Sequence, residues 1–541
     1  MTSLPVGSRR LRLATLGFFV ALLLLGLAVF RDYGISWDEI PTRQFGIMYV
    51  THQVPDLPAL NAQRLENGPA YERFGPLFEI ILVRAETLMF HADVRTVFFM
   101  RHLVTFLLFY LGVVFFHRLC RERFGGWLAL VGCLGLVLSP QLFSHAFYNI
   151  KDISFLALFV GSMLTLRHVV ERPDRPTMVY HIANTVVLLG ARVLGVFAML
   201  LTGLAAIARR PDFRTLLYLI GYGVLVALLL PLVWPVLWID YADIVRNAVL
   251  GTTTNPYFKT DLFRGQQISA SHLPWDYVPT WIMITTPIAV LVLFIAGMVS
   301  SVASFAKRPW EYVRGTRQGD LTVLAWFFLP VVGCVVLKPI MYDAWRHLFF
   351  VYPALVYIAL LGVEAIVGRA VRVVGESRRR SVHGAAAVAL LLAMAPVATF
   401  MIRNHPFEHV YFNRLAGADM QQVKQRYELD YWGLSYRKAL EYIVRTDTAG
   451  HIRIFATTYP GRVNVAMLPR ADRARVELVA SDAEADYVMT NYRFHPQDYG
   501  YTNEVYSVRV GNASIASVFR RPVPTVSAPI PPAVAPAGRR P

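Results

Sequence analysis

Long apolar runs are the feature of this sequence that most restricts its fold. A helix that crosses a bilayer needs about 20 predominantly apolar residues. Runs of this kind lie at 11–30, 97–117, 126–142, 153–169, 214–238, 277–303, 321–337, 347–367 and 384–402. Of the 541 residues, 55% are apolar and only 16% are charged, too few to cover the surface of a soluble protein. The sequence therefore predicts a polytopic all-α membrane protein and excludes a soluble enzyme, a disordered chain and a disulfide scaffold.

The stretch 177–207 is too long for one upright span, and Gly190, Arg192 and Gly195 interrupt its middle. Basic loops stay in the cytoplasm, and the short loops that carry basic residues are 118–125, 167–176, 208–213, 304–320 and 368–383. An even number of crossings must then lie between residues 176 and 208. We therefore expect two short helices here, with Arg192 at the outer turn, and 11 spans in total.

This topology places the N-terminus in the cytoplasm, after an uncleaved first anchor, and the C-terminus outside. The net charge of +17 then reflects mostly the cytoplasmic loops, so no nucleic-acid partner is expected. The predicted domains are a membrane module at 1–403, a small external α/β domain at 404–521 and a Pro/Ala-rich disordered tail at 522–541. The predicted outer segments of the module are 31–96, 143–152, 239–276 and 338–346.

The first outer segment brings two adjacent carboxylates, Asp38 and Glu39, beside Trp37 shortly after the first span. A low dielectric at the bilayer edge can raise the pKa of a carboxylate and make it a better base. The same residues also fit a solvated loop with a tryptophan anchor at the membrane interface. Both interpretations stay open from the spacing alone.

The second outer segment is short and dense in hydrogen-bonding groups, namely His145, Tyr148, Asn149, Lys151 and Asp152. Asp152 stands at the start of a span, where the helix dipole favours an ionised carboxylate. It is therefore a candidate for catalysis and equally for a simple helix cap.

Basic side chains follow in later segments, and each also has an ordinary explanation. Arg192 lies between apolar segments, where a charge is costly and usually functional, although it can also snorkel to the interface. The fourth outer segment carries Tyr342, Asp343, Arg346 and His347, and a guanidinium suits phosphate oxygens. Trp275 ends the third outer segment, as either a substrate contact or an interfacial aromatic residue.

Acidic and basic groups on one side of the membrane suit a substrate with a phosphate head at the surface and an apolar tail in lipid. The sequence has no P-loop and no HExxH motif, so nucleotide binding and zinc peptidase chemistry lack a motif. The cysteines Cys120, Cys133 and Cys334 form no CxxC pair, and neither a disulfide framework nor a zinc site is expected.

At these residues the chain resembles the GT-C membrane glycosyltransferases, particularly glycosyltransferase family 39 and its bacterial relatives. That group includes protein O-mannosyltransferases and the aminoarabinose transferases of lipid A. The resemblance covers roughly residues 10–405 and also touches the tail. The segments that carry it are Gly34–Glu39, Tyr148–Asp152, Leu273–Tyr277, Tyr342–His347, His405–Phe407 and Asp430–Tyr436.

The resemblance implies an inverting transfer of a sugar from a polyprenyl-phosphate donor to an acceptor hydroxyl on the outer face of a bacterial inner membrane. It implies Asp38 as general base, with Glu39 orienting the acceptor and Asp152 as a second acidic position. The basic residues that would hold the donor phosphate are Lys151, Arg192, Arg346 and His347. Candidate substrate contacts are Trp37, His145, Tyr148, Asn149, Trp275, Tyr342 and Asp343.

The acceptor can be a lipid, an envelope glycan or a protein, because the tail matches no sugar-binding module of the eukaryotic O-mannosyltransferases. Some relatives are linked with a divalent metal, which the carboxylates could hold, but no ligand cluster requires one. Two other functions stay open. A transporter or flippase of a lipid-linked glycan would bind the same amphipathic substrate, and a membrane-anchored scaffold would be built around the tail.

Overall fold

The computed structural model describes residues 9–51, 75–89, 92–246 and 260–520. Within these ranges the chain is mostly helical, as the apolar runs predict. Eight described helical segments are long and apolar enough to cross a membrane, namely Arg9–Val29, Val94–Phe124, Ile150–Glu171, Phe213–Leu232, Ile288–Lys307, Gln318–Leu337, Arg346–Val374 and Glu376–Asn404. The all-α membrane architecture is therefore confirmed.

The run 126–142, predicted as one span, is a bent pair of helices. Gly126–Val137 and Pro140–Tyr148 meet at 69°. Pro140 has no N–H to continue the first helix, and it begins the second one. The bend also corrects the predicted outer loop 143–152, which is almost entirely helical because Ile150–Glu171 begins two residues after Tyr148.

The run 277–303 is also interrupted, so its prediction as one continuous helix was wrong. Tyr277–Thr285 ends before Pro287, and Ile288–Lys307 begins after it. Proline disfavours helical geometry in the residue before it, and Thr286 is extended. Because of this break, the third outer segment leads into the short helix Tyr277–Thr285 rather than directly into a full span.

The split of 177–207 into two short helices is confirmed. Arg175–Ala191 ends at Arg192, whose backbone is extended. A 3-10 turn at Val193–Gly195 leads into Val196–Arg209. If these two helices and the bent pair each cross the membrane, the described helices supply the 11 predicted crossings.

A reporter at residue 210 tests this topology. A reporter fused there is expected to give a cytoplasmic signal, because two short crossings return the chain to the side of the basic loops. A fusion after residue 192 is the matched control and is expected to report the opposite side. An external signal at 210 would show that 177–207 crosses only once.

The C-terminal part is the predicted α/β domain. Its sheet has five strands, β3 (Ile452–Ala456), β4 (Val476–Leu478), β5 (Tyr487–Thr490), β6 (Glu504–Val510) and β7 (Ala513–Arg520). Their order across the sheet is β4-β3-β5-β7-β6. Strand β3 runs parallel to β4 and β5, whereas β7 runs antiparallel to β5 and β6. The helix Tyr436–Thr446 packs Leu440 and Ile443 on this sheet.

Smaller elements complete the described chain. An antiparallel hairpin of β1 (Thr260–Phe263) and β2 (Gln266–Ser269) lies in the third outer segment. The other short helices are Glu39–Thr51, Leu77–Leu88, Pro309–Val313, Met420–Arg426, Tyr459–Val463 and Arg470–Arg473. Further 3-10 turns are Pro235–Trp238, Glu408–Val410, Asn464–Met467 and Asp482–Glu484. Part of the first outer segment, residues 247–259 and the tail 522–541 lie outside the described residues.

The C-terminal domain packs directly against the chain that follows the first span. The side chain of Asn464 accepts a hydrogen bond of 2.9 Å from the backbone N–H of Ile35 and donates one of 2.8 Å to the carbonyl oxygen of Ile35. A Cβ on Gly34 would lie 2.5 Å from the Asn464 side chain and 2.9 Å from the Leu434 carbonyl oxygen. Only glycine permits this approach, which fixes the loop that carries Asp38.

Candidate active site

Arg346 is the centre of the site, at the start of the 3-10 helix Arg346–Val351. Its side chain is buried and faces three carboxylates. Nη1 lies 3.0 Å from Asp38 Oδ2 and 3.4 Å from Asp152 Oδ2, and Nη2 lies 3.3 Å from Asp343 Oδ2. The structure therefore brings together four predicted residues from three separate parts of the sequence.

Two aromatic rings hold the Arg346 guanidinium. Its central carbon lies 4.7 Å from the ring centroid of Trp432 and 5.0 Å from that of Tyr342. Planar guanidinium groups stack well on such rings. Its Nε donor is buried and has no hydrogen-bond partner among the described residues. A buried unused donor on a fixed cation is what an anionic ligand would satisfy.

Two further arginines extend this ion network. Arg192, at the break between the two short helices, contacts Asp152 directly. Arg493, in the C-terminal domain, contacts Asp343, and its Nε lies 3.4 Å from Glu428 Oε2. We call the six side chains Asp38, Asp152, Asp343, Arg192, Arg346 and Arg493 the arginine–aspartate cluster.

Asp38 differs from the other carboxylates of the cluster in its exposure. Its side chain is 27% exposed, whereas those of Asp152 and Asp343 are 2% and 1% exposed. Asp38 is therefore the carboxylate that a second substrate can reach from outside. The predicted phosphate ligand Lys151 lies next to this point, half-buried and in electrostatic contact with Asp38 and Asp152.

Three of the predicted substrate contacts are instead buried beside the arginine–aspartate cluster, where they hold Asp152 and Trp432 in place. Asn149 donates to Asp152 Oδ2 over 2.8 Å, and its own oxygen accepts the Asp152 backbone N–H. The same amide contacts His145, whose Nε2 accepts the indole N–H of Trp432 over 3.0 Å. Tyr148 packs on Trp432 and donates to a neighbouring serine. All three side chains are buried, so in this structure they contact the cluster rather than solvent.

Two of the loops that carry the cluster, those of Asp343 and Arg493, have unusual backbone geometry. Asp343 and Ala344 have φ of 58° and 62°, and Tyr492 and Phe494, on either side of Arg493, have φ of 61° and 63°. Left-handed conformations of non-glycine residues cost of order 1–3 kcal/mol each and concentrate at functional sites. The Asp343–Arg493 contact therefore joins two strained loops.

The other predicted site residues lie around the cluster or apart from it. Trp37 stacks under Arg493 at 4.5 Å, and His347 packs edge-on against Tyr342 at 4.9 Å. Glu39 is buried and accepts hydrogen bonds from the Ser36 backbone and from His102, so it holds the loop rather than facing the cluster. Trp275 is 69% exposed and lines a separate apolar cavity.

The C-terminal domain supplies site residues that the sequence prediction missed. Trp432 and Arg493 both contact Arg346 or its partners. The segment Asp430–Tyr436 was noted in the sequence for its resemblance alone, although its aromatic density is a signal that could have indicated a site. Arg493 stands in a loop after a strand, and nothing in its local pattern distinguishes it from a surface arginine.

Asp430 fixes the position of Trp432. Its Oδ1 accepts from the backbone N–H of Gly433 over 3.0 Å and from His409 Nε2 over 2.9 Å, and its Oδ2 accepts from the Ser435 backbone over 2.9 Å. Burial alone would raise the pKa of Asp430, but the hydrogen bonds from His409 and Ser435 outweigh it and hold the pKa below the ordinary value.

Replacing Asp430 by alanine is expected to destabilise the protein by about 3–5 kcal/mol, because His409 and three backbone donors lose a buried acceptor. A lower midpoint of thermal unfolding in detergent checks this, with the exposed Glu484→Ala as control. The stabilisation is present above the ordinary carboxyl pKa and is lost as the pH falls through the depressed one. An unchanged midpoint for Asp430→Ala would contradict the assignment.

A divalent metal is the cofactor that the sequence leaves open. In the described ranges, no group of three or more histidine, cysteine, aspartate or glutamate side chains is arranged to hold one. The carboxylates of the arginine–aspartate cluster each contact an arginine.

No protein-family model matches the chain, and no curated protein matches it. Among solved structures, it is similar to ArnT from Cupriavidus metallidurans in the apo state, with a TM-score of 0.47 and 13% identity over 93% of this chain and 98% of that one. The same protein bound to undecaprenyl phosphate gives a TM-score of 0.45 and 14% identity, with the same coverage.

Proposed function

We propose that this protein is an integral membrane glycosyltransferase, which moves a sugar from a polyprenyl-phosphate donor to an acceptor hydroxyl. We place the reaction on the outer face of a bacterial inner membrane, with the C-terminal domain in the same compartment. The observation that carries the proposal is Arg346, buried among three carboxylates with its Nε donor unused by any described residue. A lipid phosphate arriving from the bilayer would occupy that donor.

The donor phosphate is held by fixed cations. Arg346 supplies its unused Nε donor, and Arg192 stands beside it at the break between two membrane helices, with Lys151 nearby. Stabilisation of a leaving group's charge by preorganised donors commonly contributes more to catalysis than any other single effect. As the bond between the anomeric carbon and the phosphate oxygen breaks, these cations stabilise the phosphate that leaves with the prenyl chain.

Asp38 is the general base. It takes the proton from the acceptor hydroxyl while the hydroxyl oxygen forms the new bond to the anomeric carbon on the face opposite the phosphate, which inverts that centre. Without a donor, Asp38 contacts Arg346 over 3.0 Å. A phosphate that shares Arg346 weakens this contact and leaves the carboxylate available to the acceptor hydroxyl.

The purified protein with a polyprenyl-phosphate sugar and a membrane-lipid or envelope-glycan acceptor tests the proposal. The expected result is release of polyprenyl phosphate together with a glycosylated acceptor, in detergent and without a sealed compartment. No release with any acceptor would contradict it. A flippase of lipid-linked glycans, the second function left open by the sequence, would instead move the intact lipid across sealed vesicles.

A further inference from the structure

The hairpin β1–β2 contacts both the C-terminal domain and the loop that carries Asp343. On the domain side, the backbone N–H of Gly265 donates to the carbonyl oxygen of Arg426 over 3.0 Å. On the loop side, the backbone N–H of Met341 donates to the carbonyl oxygen of Ala270, which directly follows β2, over 3.3 Å. The hairpin therefore joins the Asp343 loop to the C-terminal domain.

Asp261, in strand β1, holds the backbone of Asp343 itself. Its Oδ1 accepts the backbone N–H of Asp343 over 3.2 Å, and its Oδ2 accepts the hydroxyl hydrogen of Tyr277. Asp261 is only 3% exposed. Two buried donors thus meet one side chain, and a carboxylate accepts from both with its two oxygens, whereas an amide has a single accepting oxygen. The contacts explain why an aspartate suits this position.

The backbone that Asp261 holds is in an unfavourable conformation. Asp343 and Ala344 have φ of 58° and 62°. Left-handed conformations of non-glycine residues persist only where the surrounding structure fixes them, and the hydrogen bond from Asp343 to Asp261 is one such restraint. In this conformation the Asp343 carboxylate lies 3.3 Å from Arg346 Nη2 and also contacts Arg493.

The charge of Asp261 is costly where it lies. Burial raises the pKa of its carboxyl group, and the negative charge of Asp343 acts in the same direction, against the hydrogen bond from Tyr277 and the charge of Arg493. A buried carboxylate beside another one destabilises the folded state. Such groups concentrate at functional sites, so the placement of Asp261 beside the arginine–aspartate cluster indicates a role in that site.

We propose that Asp261 is a positioning residue for the transfer reaction. By holding the backbone of Asp343, it directs the Asp343 carboxylate between Arg346 and Arg493. This carboxylate in turn fixes the guanidinium of Arg346, which holds the donor phosphate. Asp261 acts through Asp343 and is not itself a phosphate ligand. The inference rests on the proposed function, and it makes the third outer segment part of the donor site.

The test measures the affinity of the full-length protein in detergent for undecaprenyl phosphate. Asp261→Ala removes the acceptor of the Asp343 N–H and is expected to weaken binding about tenfold, because a buried hydrogen bond that orients the site is lost. Asp261→Asn keeps an oxygen for that N–H, and the Tyr277 hydroxyl can turn to accept from the amide. Its affinity is expected to stay within about threefold of wild type. Equal losses in both variants would overturn the proposal.

A double variant tests whether Asp261 acts through Asp343. Asp343→Ala removes the carboxylate that Asp261 positions, so adding Asp261→Ala to it is expected to cause no further loss of affinity for undecaprenyl phosphate. Residues that act independently have effects that multiply in the affinity. Multiplied losses in the double variant would therefore overturn the proposal.

Asp320→Ala is the matched control. Asp320 is also buried and also accepts a tyrosine hydroxyl, that of Tyr357 over 2.8 Å, but it pairs with Arg123 away from the arginine–aspartate cluster. This variant is expected to have a lower thermal midpoint and an unchanged affinity for undecaprenyl phosphate. The same pair of results for Asp261→Ala would show a purely structural role and overturn the proposal.

Tyr277→Phe keeps the proposal testable if Asp261→Ala does not fold. It removes only the hydroxyl that holds Asp261 and is expected to weaken undecaprenyl phosphate binding about threefold. An unchanged affinity in this variant would contradict the positioning role.

The place of Asp343 in a cryo-EM structure of the most impaired folded variant separates this proposal from the proposed function, because it needs no substrate. The Asp343 carboxylate is expected to have left Arg346 and Arg493. Wild-type protein that does not bind undecaprenyl phosphate contradicts the proposed donor, yet a displaced Asp343 still supports positioning by Asp261. Wild-type protein that binds the lipid, together with an unmoved Asp343 in the variant, contradicts the positioning role alone.

Discussion

Replacing Asp38 by asparagine is expected to lower sugar transfer by about 10²–10⁴-fold, the contribution of a positioned general base. Asparagine keeps the shape of the side chain but cannot accept the acceptor proton. Donor binding is expected to stay the same or become tighter, because the change removes a negative charge 3.0 Å from the guanidinium that holds the phosphate. Transfer rates and undecaprenyl phosphate affinity in purified protein measure the two effects separately.

The matched control is Asp276→Asn. Asp276 also lies in an outer segment and also pairs with an arginine, Arg264, at 2.6 Å, but it lies outside the arginine–aspartate cluster. We expect transfer by this variant to remain within about twofold of wild type, the small effect typical of exposed ion pairs. Full activity of Asp38→Asn would exclude Asp38 as the base.

Replacing Arg346 by alanine is expected to have the largest effect on donor binding, a loss of about 100-fold or about 3 kcal/mol. The variant loses the positive charge and the unused Nε donor, and it leaves three carboxylates facing the phosphate. Arg346→Lys keeps the charge but not the planar geometry, and we expect an intermediate loss of about tenfold. Titration with undecaprenyl phosphate gives the affinities directly.

Arg123→Ala is the control for loss of a half-buried arginine from an ion network. Arg123 binds Asp320 and Glu364 away from the arginine–aspartate cluster, in an ion network between other membrane helices. Its loss is expected to lower thermal stability while leaving donor affinity unchanged. If Arg346→Ala binds the donor as tightly as wild type and impairs only use of the acceptor, Arg346 belongs to the acceptor side.

Much of the site could be predicted because the topology indicates on which side of the membrane each charged residue lies. Asp38, Asp152, Arg192 and Arg346 were grouped from the charge of the loops alone, and the structure places them in direct contact. Charged residues at the same ends of neighbouring membrane helices avoid contact with lipid, so they face one another inside the bundle. The split at Arg192 followed from the same argument.

What the sequence could not show is how the C-terminal domain docks. The contact between Arg493 and Asp343 spans 150 residues, and no local pattern encodes it. Trp275 illustrates the opposite difficulty, because an exposed tryptophan at a membrane interface has the same sequence signature as one that contacts a substrate. Pro140 and Pro287 can be read in the sequence, but each lies within a long apolar run. The prediction followed the length of the run and therefore missed both helix breaks.

The docking of Arg493 has a consequence for the order in which the protein becomes active. Asp38 is made well before Arg493, yet the two belong to one ion network through Asp343 and Arg346. Chains are made from the N-terminus, and domains fold largely as they emerge. The helices can therefore be inserted and packed while the site is still open on one side. A chain that stalls before its final domain is made carries every described membrane helix but lacks the Arg493 side of the proposed catalytic centre.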